Sequence, residues 1–164
     1  MSDLQTLLDE AAIHKVHLRY CRGVDRMDWD LVRSCYHPDG TDDHGGYSGG
    51  VDGFIAWLSA GLPKYAWTSH FTGNSLIEVS GDSAWAEHYA IASHRRLATG
   101  DAPGADLVIH VRYIDRMERR AGEWRIARRV VIAESQRVHP LGDDWMILPT
   151  KPSLRDRSDF SYER

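Results

Sequence analysis

Cysteine is scarce. The chain of 164 residues holds two, Cys21 and Cys35, and they form no CxxC pair. They read as buried, reduced thiols of a reducing compartment, not as a disulfide framework. No apolar run reaches 18 residues, and no charged-then-apolar leader opens the chain, so neither a membrane span nor export is expected and the location expected is cytoplasmic. An excess of one charge is missing too. Twenty Lys and Arg face 24 Asp and Glu, a net charge of −4, which provides no basic face for nucleic acid. Repeats and low-complexity tracts are absent. What remains is ordinary for one soluble globular domain, 42% hydrophobic and 27% charged, with six Trp, seven Tyr and three Phe for a core or a pocket wall.

Residues 3–23 have helical spacing, with Leu4, Leu8, Ala12, Val16 and Tyr20 on one stripe. His14 and His17 are expected at its surface. Gly23 fits the helix end. Asp28 caps a short helix, 29–36, and His37-Pro38-Asp39-Gly40 reads as a turn. Residues 41–48 predict a short strand or irregular hairpin. Residues 51–60 form a third helix, stopped by Gly61 and Pro63. The second half is β-type, with strands expected over 65–79, 83–98, 106–119 and 124–135. Helices first and an antiparallel meander after them make the class α+β. The domain expected is 1–135. The tail, 136–164, is polar and carries an apolar patch at Trp145-Met146-Ile147-Leu148, which favours docking on the domain or on a neighbouring subunit.

Two stretches point to chemistry. Asp25 follows an apolar Val24 at a helix junction, where it is either a cap, a bridge to Arg22 or Arg26, or a reactive carboxylate. Residues 84–94 alternate unusually: Ala86, His88, Ala90, Ala92 and His94 make a small face, and Trp85, Tyr89 and Ile91 a large one. Small side chains on a curved sheet leave space for a ligand, or merely let a helix approach. The large face would pack on helices or on another subunit. His44, beside Asp42 and Asp43, looks like a metal cluster only superficially, because adjacent residues are poorly spaced to converge. Its better reading is a pocket residue, and no metal is expected. Tyr47, Trp67 and Tyr113 are aromatic enough to hold a ring substrate, and Ile109 falls on the same face as Tyr113. Each is equally at home in a core.

In order and spacing, the chain resembles the SnoaL-like branch of the nuclear-transport-factor-2-like superfamily. The resemblance spans roughly residues 4–135. It rests on Tyr20-Cys21-Arg22-Gly23-Val24-Asp25 with Asp28-Trp29, on Thr68-Ser69-His70-Phe71-Thr72-Gly73-Asn74, on the strand carrying His88, and on Tyr113–Arg120 leading to Gly122-Glu123-Trp124. It implies a cone-shaped, strongly bent antiparallel sheet wrapped on three N-terminal helices, the cystatin-like α+β barrel. Its lyases, which include scytalone dehydratase, hexachlorocyclohexane dehydrochlorinase and bile-acid dehydratases, pair a helix-end Asp with a strand His. By that resemblance the Asp falls on Asp25, the His on His70, a dehydratase Tyr on Tyr20, a second His on His88 and a dehydrochlorinase Arg on Arg129. By alternation, either Arg128 or Arg129 must face solvent. The bile-acid enzymes' Arg falls near Ala133 and is absent.

The function implied is a cofactor-independent lyase. It would remove water, a hydrogen halide or formaldehyde from a largely apolar substrate, with aromatic lignin-type compounds among the candidates. A His poised near neutral pH takes the proton, and an Asp fixes its tautomer. The catalytic set is Asp25, His70, Tyr20 and His88. The substrate-binding set is Arg129, His44, Tyr47, Trp67, Tyr113, Ala90, Ala92 and Ile109. The alternatives are an isomerase or epoxide hydrolase of the same fold, and a non-catalytic assembly subunit like those of ring-hydroxylating dioxygenases. The partners expected are a small apolar molecule and further copies of the chain, as a dimer or trimer.

Overall fold

The first helix carries the chain to Asp25 itself. In the computed structural model, which describes residues 3–142 and 150–163, α1 runs Asp3–Asp25, two residues beyond the expected end. Gly23 does not terminate it. A Cβ there would lie 2.8 Å from Cγ2 of Val32 in α2 (Trp29–Ser34), so glycine serves the close approach of the two helices. The left-handed residue that turns the chain is Met27, at φ 50°. Asp28 then caps α2 by accepting from the Leu31 amide at 3.2 Å. This junction fixes the direction in which Asp25 leaves the helix.

The buried stripe of α1 is Asp9, Ile13, Val16, His17, Tyr20, Cys21 and Val24. Leu4 and Leu8 are exposed instead. A strict i, i+4 repeat rotates about 40° per step around a helix of 3.6 residues per turn, so five such positions cannot share one face. His17, expected at the surface, is buried for the same reason: it lies on the true stripe.

The remaining order is β1 (Tyr36–Asp43), β2 (Ser48–Gly50), α3 (Val51–Gly61), a 3-10 turn (Leu62–Lys64), β3 (Trp67–Ser80), β4 (Ser83–Arg96), β5 (Ala105–Arg120), β6 (Glu123–Pro140) and a last 3-10 turn (Phe160–Tyr162). The six strands form one bent open sheet, β2-β1-β6-β5-β4-β3, with the helices against it, an α+β architecture. β3 to β6 are the expected antiparallel meander. The sheet is not antiparallel throughout, because β1 runs parallel to β6. No hairpin joins those two strands, and the long connection leaves their relative direction free. His37–Gly40 is strand and not a turn. The register slips between Tyr36 and Thr41, and that irregularity accommodates Pro38. β6 continues past residue 135 to Pro140, which pairs with Ala105. The Trp145–Leu148 patch lies outside the described residues.

Paired residues share a face of a sheet, so the register lists the inner face. One row is His70, Ala92 and Ile109. The next is Thr72, Ala90 and Val111. Deeper rows are Ser75, His88, Tyr113 and Val131, then Ala86, Asp115, Arg129 and Asp42. Trp85, Tyr89 and Ile91 lie on the outer face and stay exposed. Cys21 and Cys35 are buried and free, and burial pushes their thiols up to about 12 and about 11. Among the described residues, no helix is long and apolar enough to cross a membrane.

Candidate active site

Asp25 and His70 meet across the gap between α1 and the edge strand β3. His70 Nδ1 donates to Asp25 Oδ1 at 2.7 Å, and the His70 amide donates to Oδ2 at 3.0 Å. The Thr68 hydroxyl donates to Oδ1 at 2.9 Å. Burial alone would raise the Asp25 carboxyl, but the His70 ring and amide and the Thr68 hydroxyl together hold it below the ordinary carboxylate value. With Nδ1 taken by Asp25, the ring's Nε2 is the nitrogen left for another molecule, and no bond from a described residue engages it. The imidazole of His94 stands edge-on to it, with centroids 5.7 Å apart. A cleft of about 310 Å³ opens on the pair, lined by Leu18, Cys21, Arg22, Arg26, Phe71 and Thr72 as well.

The other expected catalytic residues do not line this cleft. They belong to a polar cluster inside the sheet. Its centre is Arg129, fully buried, whose Nε and Nη2 donate to the Asp115 carboxylate at 2.7 and 2.6 Å. Arg128 is the one that faces outward. The Arg129 guanidinium lies 4.1 Å from the Tyr20 ring centroid and 4.6 Å from that of Tyr113. Its Nη2 donates to His17 Nδ1 at 3.3 Å, which makes His17 the Nε2–H tautomer, aimed at the Thr72 hydroxyl 3.2 Å away. His88 stacks on His17 at 4.0 Å, with Nδ1 2.9 Å from the Ser75 hydroxyl. Two fully buried nitrogens of this cluster, His88 Nε2 and Arg129 Nη1, have no hydrogen-bond partner among the described residues.

On the far side of Tyr20 stands a second acid–imidazole pair. His44 Nδ1 bonds to Asp42, which also accepts from the Tyr36 hydroxyl at 2.5 Å. His44 Nε2 lies 3.4 Å from the Tyr20 hydroxyl. His44 therefore contacts a residue of the expected catalytic set directly, with Asp42 on its other ring nitrogen.

Burial holds three histidines neutral at neutral pH. Burial first, and then the Arg129 charge, depress His17 well below its ordinary value and His88 to about 3. Burial and the nearby His70 lower His94 to about 4. His17, His88 and Asp115 bring their ligand atoms within 4.8 Å of one another, a spacing that suits a metal ion. The Arg129 guanidinium already supplies the cation there, bridging Asp115 and His17.

The expected substrate-binding residues divide. Ala90, Ala92, Ile109 and Tyr113 are on the inner face. Trp67 is not: it pairs with Arg95 on the outer face, under that residue's guanidinium. The Tyr47 hydroxyl is spent on the Gly50 carbonyl at 2.7 Å, and its ring packs with Phe54 and Trp57 as part of the fold. His17, Thr68 and Asp115 are the residues that pattern reading missed. Asp115 was findable, since it sits on the same face of its strand as Tyr113.

The buried Arg129–Asp115 pair predicts a large effect. Arg129→Met leaves the Asp115 carboxylate uncompensated in the interior and is expected to cost about 3–5 kcal/mol in urea unfolding. The double substitution Arg129→Met, Asp115→Leu should recover most of that loss. An Arg129→Met protein as stable as wild type would show that the pair holds little together.

A family model described as the SnoaL-like domain matches residues 5–130. The uncharacterized protein Rv2910c of Mycobacterium tuberculosis is 28% identical over 134 residues, covering 79% of this chain and 88% of that protein. Among solved structures, a type 2 hexachlorocyclohexane dehydrochlorinase superposes with a TM-score of 0.77 at 23% identity, covering 90% of this chain and 99% of the other. A protein from Novosphingobium aromaticivorans, provisionally assigned as a scytalone dehydratase, gives 0.73 at 20% identity, covering 88% and 100%. At these identities the structures establish likeness of fold.

Proposed function

The chain belongs to the SnoaL-like domain family, and from that premise we propose that it is a lyase in which His70, oriented by Asp25, removes a proton from carbon. One observation carries this reading: His70 Nδ1 is bonded to a carboxylate held by three hydrogen bonds, and its ring borders a cleft. In the reaction the substrate C–H bond breaks toward His70 Nε2. Its electron pair forms the carbon–carbon double bond, and the bond to the leaving group breaks. Asp25 stabilises the imidazolium that results, more strongly for being partly buried.

Arg22 and Arg26 line the same cleft, so a departing anion or hydroxyl meets positive charge there. Leu18 and Phe71 supply apolar wall. We assign Tyr20 no step in the cleft: it lies outside the lining, and with His44 Nδ1 on Asp42 its hydroxyl proton goes to His44 Nε2. The isomerase alternative needs a carboxylate base on the sheet within the cleft. The only carboxylate lining it, among the described residues, is Asp25 on the helix.

The names of two structural neighbours suggest the first two probes, and the resemblance read from the sequence suggests the third. Hexachlorocyclohexane and a scytalone-type alcohol are incubated with the protein and followed by mass spectrometry for loss of hydrogen chloride or water after C–H abstraction. A lignin-type diaryl compound is followed for loss of formaldehyde. For that loss the same base takes the hydroxymethyl O–H proton, the adjacent carbon–carbon bond breaks, and its electron pair forms the new double bond as the benzylic hydroxyl leaves. The proposal predicts loss from at least one class of probe. No turnover across the panel, with capture of a specific protein partner instead, would favour a binding module.

A further inference from the structure

The dyad is braced by a residue beyond the family match. Arg155 lies in the C-terminal segment, 25 residues past the last matched position, yet it is buried. Its guanidinium joins three elements at the site. Nε donates to the Asp25 carbonyl at 3.2 Å, and Nη1 donates to the carbonyls of Leu62 and Tyr65 at 2.9 and 2.8 Å. Nη2 donates to the Thr68 hydroxyl oxygen at 3.3 Å. That hydroxyl has one proton, and it goes to Asp25 Oδ1 at 2.9 Å. The contact thus runs in one direction, from Arg155 through Thr68 to the carboxylate that orients His70.

The rest of the segment holds Arg155 in place over the helix junction. The Tyr162 hydroxyl and Arg157 both donate to the Asp28 carboxylate, at 3.0 and 3.2 Å. Arg22 donates to the Ser161 hydroxyl and lies 4.6 Å from the Tyr162 ring centroid. Asp159 sits 3.6 Å from Arg26. The two arginines that line the cleft are therefore both held from the outside by this segment.

We propose that Arg155 is a positioning residue of the active site, and that the C-terminal segment is part of the machinery that keeps His70 in its working tautomer. This rests on reading Asp25 and His70 as the base. The physical reason is geometric. Asp25 is the last residue of its helix, where the backbone is least restrained, and Thr68 is the second residue of an edge strand. A planar guanidinium with five donors ties both ends to the preceding turn, which a lysine ammonium, with three donors at one point, does not match.

The test uses the whole 164-residue chain, labelled with 15N in the imidazoles, near neutral pH. Wild type is expected to show His70 as a single tautomer with a hydrogen-bonded Nδ1 proton. Arg155→Met and Thr68→Val should each lose that signature and give mixed tautomers. The double variant should be no worse than either single, because both act through one chain of contacts. Guanidinium ion added to Arg155→Ala should restore the signal. Arg128→Ala, which removes an exposed charge on the outer face of the sheet and touches no part of this segment, should leave it intact. If Arg155→Met and Thr68→Val both keep the wild-type signal, the segment is a structural latch and the inference fails while the base reading stands. Should Arg155→Met not fold, Thr68→Val decides alone, and an unchanged His70 overturns the proposal. A wild-type His70 without the bonded Nδ1 proton would overturn the base reading, and this inference with it.

Discussion

Asp25→Asn is expected to lower turnover about 10²- to 10⁴-fold, the usual worth of a positioned acid–base group. Asp25 accepts at both oxygens, from the His70 ring and the Thr68 hydroxyl on one and the His70 amide on the other. An asparagine amide has one oxygen. Whichever way it is turned, its NH2 confronts a donor, so the imidazole loses its fixed tautomer or the strand loses its anchor. The loss should fall on kcat more than on KM, since Asp25 acts through His70 and not on the bound molecule. Steady-state kinetics on the responsive probe, with circular dichroism to confirm folding, checks this. A change in KM alone would move Asp25 from the chemistry to binding.

Acid is expected to unfold the protein well above the carboxylate range. His17, His88 and His94 are depressed by burial, His88 to about 3 and His94 to about 4. The unfolded chain takes up their protons as pH falls through 6.5, and the folded chain does not. Stability therefore falls with pH from about 6.5 downward, by about 1.4 kcal/mol per pH unit for each histidine. His88 alone accounts for on the order of 3 kcal/mol between pH 6.5 and pH 4. Asp25 is depressed below its ordinary 3.8, so its contribution survives this window and is lost only at lower pH. Asp115, raised first by its burial, works in the opposite sense, one group against three. Urea unfolding from pH 7 to pH 4 measures the slope. His88→Gln should flatten it by about one proton, and a level curve in wild type would contradict the burial of neutral imidazoles.

Local pattern carried much of the site. Strict alternation along β4 identified its small inner face, including the two imidazoles, because residue spacing along a strand maps directly onto faces. The helix junction was readable from Asp28, a capping residue ahead of a short apolar stretch. What pattern did not carry depends on partners distant in sequence. An i, i+4 stripe drawn on α1 hid His17, which the true buried face brings against Arg129 and Thr72. The alternation of Arg128 and Arg129 left open which one turns inward. The choice is made by Asp115, 14 residues earlier on the neighbouring strand. Residue type favoured Trp67 as a pocket aromatic, but register places it outside. Arg155 gave no signal at all, since one arginine in a polar tail looks like any other until the tail is seen to fold back.

The resemblance brought Asp25 and His70 together on paper as one group with Tyr20, His88 and Arg129. The geometry divides that group into a cleft with the base and an interior cluster joined to it by His17. The base is therefore the part of the account most exposed to test. The measurement is kcat/KM of His70→Gln relative to wild type, on whichever probe the wild-type protein turns over. A fall of about 10²-fold or more in a folded variant is the expected result. Turnover undiminished in His70→Gln would contradict the account, because no other imidazole lines the cleft among the described residues.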